Sequence, residues 1–106
     1  MHTDAASLLI DLESELRQLG LWGSSPPEAS AFASSQPFAI DTMDFHQWLQ
    51  FVFLPRMYAL IEARQPLPDK CAIAPMAEEY FSQGKLPVTK LLDTLRSIDE
   101  LLSQDD

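Results

Sequence analysis

The stretch of residues 36–58, QPFAIDTMDFHQWLQFVFLPRMY, constrains the fold more than any other part of the chain. Asp44 followed three residues later by Gln47 is a capping-box pattern, which predicts a helix start at Asp44. A spacing of about 100° per residue then predicts one broad apolar face. That face consists of Phe45, Trp48, Leu49, Val52, Ala59, Leu60 and Ala63. The pattern predicts a helix over 44–64 that lies inside a bundle.

Pro55 lies within this predicted helix and is followed by Arg56. Proline has no N–H to bond the Phe51 carbonyl, and its ring costs about 3 kcal/mol in a regular helix interior. Because the apolar spacing resumes directly afterwards, we predict a kink and not a break. Arg56 projects onto the middle of the apolar face, and two placements stay open. Either its head reaches solvent past a packed stem, or it is buried in a pair with Asp41 or Asp44.

Three further segments have helical patterns. Leucines at helical spacing predict helices over 4–19 and 87–102. Gly20 is placed to end the first of these in the left-handed conformation. A third, short helix is predicted over 75–83, with Pro75 as its first residue.

A long connection rich in Ser, Ala, Pro and Gly occupies residues 23–37. Ser25 and Glu28 form a second capping-box pattern, which predicts a short helix over 26–33. Phe32 is expected to pack this segment onto the bundle. The sequence therefore predicts an all-α single domain over 1–106. Its architecture is roughly a four-helix bundle with a long, partly helical loop between helices 1 and 2 and a proline-kinked central helix.

Composition limits the compartments and partners that suit the chain. Cys71 is the only cysteine, so no intramolecular disulfide can form, which is typical of a reducing compartment. The N-terminus has no signal-peptide pattern and no apolar run is long enough for a membrane span, so we expect a cytoplasmic protein. Seven basic against sixteen acidic residues give a net charge of -9. This charge disfavours direct nucleic-acid and membrane binding, and it suits a protein partner better.

Motifs that carry chemistry are missing from the sequence. His46 has no second His or Cys three or four residues away, so no metal site is expected. The chain contains no glycine-rich phosphate-binding motif and no G-x-S-x-G nucleophile motif. We therefore predict no catalytic residues, no metal and no cofactor.

The aromatic density around the central helix exceeds what one buried face can absorb. Either the long loop covers the surplus, or a face containing Phe51, Leu54 or Tyr58 stays exposed as a surface for a partner or for self-association. A different arrangement would be a pocket at Pro55 lined by Asp41, Trp48 and Arg56. These six side chains, Asp41, Trp48, Phe51, Leu54, Arg56 and Tyr58, are the candidate interaction or pocket residues.

With QPFAIDTM, FHQWLQFVFLPRM and QPLP, the chain resembles the YqcC-like family of small bacterial helical proteins over essentially its whole length. The resemblance implies an all-helical, roughly four-helix domain. Members often carry a label linking them to tRNA pseudouridine synthase C, which we attribute to gene neighbourhood and not to activity. A pseudouridine synthase needs a catalytic aspartate in a much larger, sheet-based fold that grips tRNA. We interpret Asp41 as a helix cap or as the partner of Arg56, and not as that aspartate.

Two functions follow from these patterns. The first is a non-enzymatic protein-binding or accessory module that uses the aromatic surface around Pro55. The alternative is a small-molecule-binding or enzymatic domain with a pocket near Pro55. An exposed aromatic surface would favour the first, and a closed cavity with paired charges would favour the second.

Overall fold

The computed structural model describes residues 2–68, 72–82, 84 and 86–103, without the side chains of His2 and Pro37. Four helices form the fold: α1 (His2–Gln18), α2 (three consecutive segments, Phe45–Trp48, Leu49–Phe53 and Leu54–Glu62), α3 (Ile73–Phe81) and α4 (Thr89–Leu102). The predicted all-α, four-helix domain is confirmed. Cys71 lies outside the described residues, and so does Gln83, where the third helix was predicted to end. No helix in the described part of the chain is long and apolar enough to cross a bilayer.

The core lies where the apolar faces of the four helices meet. α1 packs against α4 and α2, and α4 also packs against α3. α3 closes the bundle next to α2, where the rings of Phe45 and Phe81 lie 6.4 Å apart in an edge-to-face contact. Each buried leucine or methionine contributes about 1.5–3 kcal/mol. The most deeply buried of these are Leu9, Leu12, Leu16, Leu49, Leu54, Met57, Leu91 and Leu95.

The capping box predicted at the start of α2 is present. The Asp44 N–H donates to Gln47 Oε1 over 2.8 Å, and the Asp44 side chain faces the Gln47 backbone N–H. Phe45 is accordingly the first residue of the helix. Local side-chain chemistry therefore sets this boundary.

The middle segment of α2, Leu49–Phe53, is a π-helix. The Leu54 N–H donates to the carbonyl of Leu49, five residues back, where an α-helix would use the carbonyl four residues back. Pro55 follows directly, and the helix continues through it to Glu62. The wider turn gives room to the proline ring, which crowds the preceding turn of a regular α-helix.

This π-helical segment changes which side chains face the core. A π turn holds one residue more than an α turn, so the apolar phase shifts by about 100° after Phe53. Leu54 and Met57 are buried, at 2% and 1% exposure. Ala59 and Ala63, predicted on the inward face, are exposed. The predicted face was therefore wrong at Ala59 and Ala63, whereas Leu60, also predicted on it, packs against the core.

Two helices end in the same hydrogen-bonded motif. After α1, Gly20 has a φ of 74°, as predicted, and the Leu21 N–H donates to the Leu16 carbonyl. After α2, Arg64 takes the equivalent position with a φ of 55°, and the Gln65 N–H donates to the Leu60 carbonyl. Both are Schellman motifs, in which a left-handed residue satisfies the last carbonyls of the helix.

The start of α3 differs from the prediction. The helix begins at Ile73, two residues before Pro75. The carboxylate of Asp99, on α4, accepts the Ile73 N–H at 2.9 Å and the Ala74 N–H at 2.7 Å. Because the cap comes from another helix, no capping residue precedes α3 in the sequence.

The connection between α1 and α2 packs on the outer side of α2. Two short 3₁₀ helices, Ala29–Ala33 and Pro37–Ala39, lie in it. The first of them replaces the short helix predicted over 26–33. Ala31 is buried, whereas Phe32, predicted to pack inward, is 43% exposed. Ala31, Ala39 and Met43 instead form a second buried cluster, which Trp48 and Val52 cover from α2.

Candidate functional site

Two adjoining hollows lie beside α2, and we call them together the Arg56 groove. Both are lined by Phe38, Trp48 and Arg56. The first hollow has a volume of about 230 Å³ and is completed by Phe53, Met57, Pro68, Ala72 and Ile73. The second has a volume of about 280 Å³ and is completed by Phe32, Ser34, Gln36, Ala39, Met43 and Val52. The helix and the long connection thus build this site jointly.

Stacked aromatic rings form the floor shared by the hollows. The ring of Phe38 meets Trp48 edge-on at 4.9 Å, and Trp48 stacks on Phe53 at 5.5 Å. Phe38 adopts a φ of 59°, a left-handed conformation that is unfavourable for a bulky side chain. Its contacts with Trp48 and with Phe45, at 5.8 Å, hold the ring in place. Aromatic pairs of this geometry contribute about 0.5–1.5 kcal/mol each beyond their buried area.

Arg56 is exposed and has no ion pair or hydrogen bond to any residue that the structure describes. The π-helical segment accounts for this position, because its extra residue rotates Arg56 away from the core. Of the two placements left open by the sequence, the buried pair with Asp41 or Asp44 is not formed. The side chain lies at the solvent side and lines both hollows.

Asp41 is not part of the groove. Its carboxylate accepts a hydrogen bond from the Ser34 hydroxyl, and Ser34 also accepts the Gln36 N–H at 3.1 Å. Asp41 therefore fixes the turn between the two 3₁₀ helices. Of the three residues predicted to line a pocket at Pro55, Trp48 and Arg56 line the groove and Asp41 does not.

The other three candidates lie on different sides of α2. Leu54 is only 2% exposed, so it belongs to the core and to no surface. Phe51 is half-buried beside Gly23, at the start of the connection. Tyr58 is half-buried toward α1, where burial and then the Glu13 carboxylate raise its pKa. No common exposed face contains all three, and the long connection covers part of the aromatic surplus.

The groove is suited to binding and not to proton transfer. Arg56 is the only ionisable side chain among the described residues that line the two hollows. A general acid or base would need a His, Asp, Glu, Lys or Tyr within reach of a bound group. No group of three or more His, Cys, Asp or Glu side chains in the described part of the chain could hold a metal. The available chemistry is apolar contact plus one guanidinium that can take an anion.

A second group of titratable side chains lies at the junction of α2 and α3. His46 Nε2 is 3.6 Å from Asp44 Oδ2, and the buried His46 Nδ1 has no hydrogen-bond partner among the described residues. Burial and the neighbouring Asp44 carboxylate raise the pKa of Tyr80. Neither His46 nor Tyr80 lines the Arg56 groove, and the group holds the start of α2 against α3.

Several residues of the groove were not singled out from the sequence. Phe38, Met43, Phe53 and Met57 line it but are not among the six candidates. Met43 had one usable signal, since an apolar residue directly before a helix cap often packs on the fourth residue of that helix, here Trp48. The positions of Phe53 and Met57 depend on the π-helical phase shift, which their spacing does not reveal.

Comparison with known proteins places these features among related chains. A family model described as tRNA pseudouridine synthase C matches residues 4–101. The chain is 41% identical to an uncharacterized protein of Haemophilus influenzae (strain ATCC 51907 / DSM 11121 / KW20 / Rd) over 106 residues, 100% of this chain and 99% of that protein. The solution NMR structure of protein YqcC from Escherichia coli matches with a TM-score of 0.84 and 37% identity, covering 99% of this chain and 90% of that chain.

One further relative is much longer than the part of it that matches. The chain is 50% identical over 60 residues to a tRNA pseudouridine synthase C of Pectobacterium carotovorum subsp. carotovorum. The match covers 57% of this chain but only 16% of that protein.

Proposed function

Since the chain belongs to the YqcC-like family, we propose that it is a non-enzymatic accessory module that binds a tRNA pseudouridine synthase. The observation that carries this proposal is the Pectobacterium carotovorum relative. Its printed name is tRNA pseudouridine synthase C, and the matching sequence makes up only 16% of it. A stretch of this kind therefore occurs there within a polypeptide that bears the name of the enzyme.

Covalent linkage and non-covalent binding can serve the same purpose. Two modules in one polypeptide experience a high effective concentration of each other, and separate chains reach the same association only through affinity. A free module of this family would then need a surface that recognises the enzyme. This extends the expectation from the sequence, where the label was attributed to gene neighbourhood alone.

The shape of the Arg56 groove favours a protein-binding role. The groove is open, its first hollow is mostly apolar, and Arg56 has no partner among the described residues. Apolar anchor pockets beside an arginine are typical of the energetically important centre of protein interfaces. The closed, charge-paired cavity that would favour a small-molecule or enzymatic function is not present in the described residues.

The net charge of -9 is consistent with the same role. An acidic chain is repelled by the phosphate backbone of tRNA. An enzyme that holds tRNA presents cationic surface, and this surface attracts an acidic protein. The module would therefore bind the enzyme and not the tRNA.

The experiment is a binding measurement with two purified components. The chain is titrated by calorimetry into the tRNA pseudouridine synthase C encoded in the same genome, and the complex is sized by chromatography with light scattering. We expect a stoichiometric complex, and no binding of the chain to tRNA alone in a parallel titration. Absence of a complex with the synthase at concentrations that saturate ordinary protein interfaces would overturn the proposal.

The alternative function, small-molecule binding near Pro55, has weaker support. The two hollows, of about 230 and 280 Å³, are smaller than the roughly 300–1,000 Å³ of ordinary ligand pockets. Pro55 itself is exposed and lines neither of them. The combined groove could still enclose an amphipathic acid, and a screen by ligand-observed NMR would test this with the Arg56→Ala variant as its control.

A further inference from the structure

We infer that the Arg56 groove binds an acidic segment of the partner protein, in which one carboxylate lies beside a bulky apolar side chain. The inference rests on the proposed function, because it names the chemistry that the module recognises on its partner. The carboxylate would pair with Arg56. The apolar side chain would enter the first hollow, next to it.

The charge of the segment follows from the state of Arg56. The chain has sixteen acidic and seven basic residues, so carboxylates are abundant. Arg17 and Arg96 each pair with carboxylates of the chain, Glu13 and Glu78 respectively. Arg56 and Arg64 pair with none in the described residues, and of these two only Arg56 lines the groove. The guanidinium of Arg56 is therefore complementary to a carboxylate that the partner brings, at one basic point of an otherwise acidic chain.

The apolar part of the segment follows from the lining of the hollows. The first hollow is enclosed by Phe53, Met57 and Ile73, whereas the second, with Ser34 and Gln36 in its lining, exposes more polar than apolar surface. At about 230 Å³, the first hollow has room for one large side chain. Because Arg56 lines this hollow as well, the carboxylate would lie next to that side chain. The recognised pattern is therefore one large apolar residue close to one acidic residue.

The connection, which contributes one wall of the groove, is held in place by hydrogen bonds outside the groove. Gln50 and Gly23 exchange two hydrogen bonds of 2.8 Å, which attach the start of the connection to α2. The Thr42 hydroxyl donates to the Ala31 carbonyl at 2.7 Å, which ties together the two ends of the second buried cluster. Because the wall is ordered before binding, little conformational entropy is lost when a segment docks. A short peptide segment is thus enough to fill the site.

The first test compares two charge reversals in the full chain, both on or beside α2. Arg56→Glu places a carboxylate in the groove, and the matched control Arg64→Glu makes the same change of net charge at a residue that lines neither hollow. The probe is the full-length synthase, and folding of each variant is checked by circular dichroism and thermal unfolding. We expect Arg56→Glu to weaken binding by about 30-fold or more, and Arg64→Glu by less than about threefold.

The second test identifies the partner's carboxylate. Arg56→Lys keeps the cation and supplies an amine, so a water-soluble carbodiimide can join Lys Nζ to a nearby carboxylate as an amide while the carbodiimide becomes its urea. Mass spectrometry of the digested complex then locates the linked residue. We expect one dominant Asp or Glu of the synthase, with a large apolar residue within a few positions of it.

The outcomes separate the inference from the proposed function. If the wild-type chain does not bind the synthase, the proposed function fails and the inference fails with it. If the wild type binds and Arg56→Glu binds equally well, the module has another docking surface and the inference alone is overturned. The inference is also overturned if Arg56→Lys binds but links to a carboxylate without apolar neighbours.

Discussion

Gln50, buried on α2, and Gly23, at the start of the connection, are joined by a reciprocal pair of hydrogen bonds. Gln50 Nε2 donates to the Gly23 carbonyl and the Gly23 N–H donates to Gln50 Oε1, each over 2.8 Å. At 7% exposure, Gln50 is the only polar side chain that is buried among the described residues. A side-chain amide thereby takes the place of a backbone partner for both polar groups of Gly23.

Replacement of Gln50 should loosen the connection without disrupting the core. Gln50→Leu keeps a similar size but loses both hydrogen bonds, so we expect a loss of about 2 kcal/mol in the free energy of unfolding. Urea unfolding followed by circular dichroism measures it. Gln18→Leu, at an exposed glutamine on α1, is the control and should change stability by less than about 0.5 kcal/mol. Equal stability of the two variants would show that the pair is not stabilising.

The Asp99 cap on α3 predicts a graded loss of stability. Asp99→Ala removes the acceptor for the N–H groups of Ile73 and Ala74, and should cost about 2 kcal/mol, near the upper end for helix caps. Asp99→Asn retains one amide oxygen and should cost about half as much. Asp93→Ala, which removes only an exposed pair with Arg96, should cost less than about 1 kcal/mol.

The amide exchange rates of α3 provide an independent check of this cap. In Asp99→Ala, the Ile73 and Ala74 amides should exchange faster with solvent than they do in the wild type, measured by NMR in D₂O. Unchanged protection at both amides, together with unchanged stability, would contradict a capping role for Asp99.

Arg64 offers a site where glycine should stabilise the protein. At a φ of 55°, a residue with a side chain is strained by about 1 kcal/mol relative to glycine. We expect Arg64→Gly to raise the free energy of unfolding by up to about 1 kcal/mol. Gly20→Ala makes the reverse change at a φ of 74°, where a Cβ would meet no atom within 4 Å, and should lower it by about 1 kcal/mol. Thermal unfolding of the two variants provides the measurement. If both unfolding temperatures shifted in the same direction, backbone strain at positive φ would not explain them.

The two tyrosines predict a loss of stability at alkaline pH. Burial raises the pKa of Tyr58 and Tyr80 above the ordinary value of about 10, and nearby carboxylates, Glu13 and Asp44, add to the effect. The unfolded chain releases these protons at lower pH than the folded chain. The contribution of the two neutral tyrosines to the free energy of unfolding is therefore complete below about pH 10, and it falls as the pH rises through their folded pKa values. Ultraviolet titration should give a higher midpoint for the native than for the denatured protein. In Tyr80→Phe, the alkaline loss of stability should be smaller.

The helices themselves were predictable because leucine spacing and local caps determine them. Leu9, Leu12 and Leu16 on α1, and Leu91 and Leu95 on α4, are buried at the positions that a regular 3.6-residue period predicts. Asp44 and Gln47 are neighbours on one helical turn, so their capping box can be recognised from four residues. Gly20 ends α1 for an equally local reason.

Features that depend on distant contacts were not predictable from such patterns. Asp99 caps a helix that begins 26 residues earlier in the chain, and no local signal marks α3 at Ile73. In the connection, the small side chain of Ala31 is buried in the second cluster with Met43, whereas the larger Phe32 borders the second hollow. Hydrophobicity alone would have ranked these two residues in the opposite order.

Two of the six candidate residues line the groove. Trp48 and Arg56 come from the pocket expected at Pro55, and both line the groove. Asp41, expected in the same pocket, and Phe51, Leu54 and Tyr58, expected on an exposed face, lie elsewhere. Their positions follow from the hydrogen bond to Ser34, from the approach of Gly23, and from the π-helical phase shift.

The π-helical segment of α2 also determines which of two registers the helix can adopt. In an all-α register, Arg56 would face the core and Met57 would turn toward solvent. That competing conformation would bury an unpaired guanidinium, which is among the most unfavourable changes a core can undergo. We therefore expect the charge of Arg56 to disfavour the alternative register of α2, so that Arg56 contributes to the choice of helix register as well as to the surface.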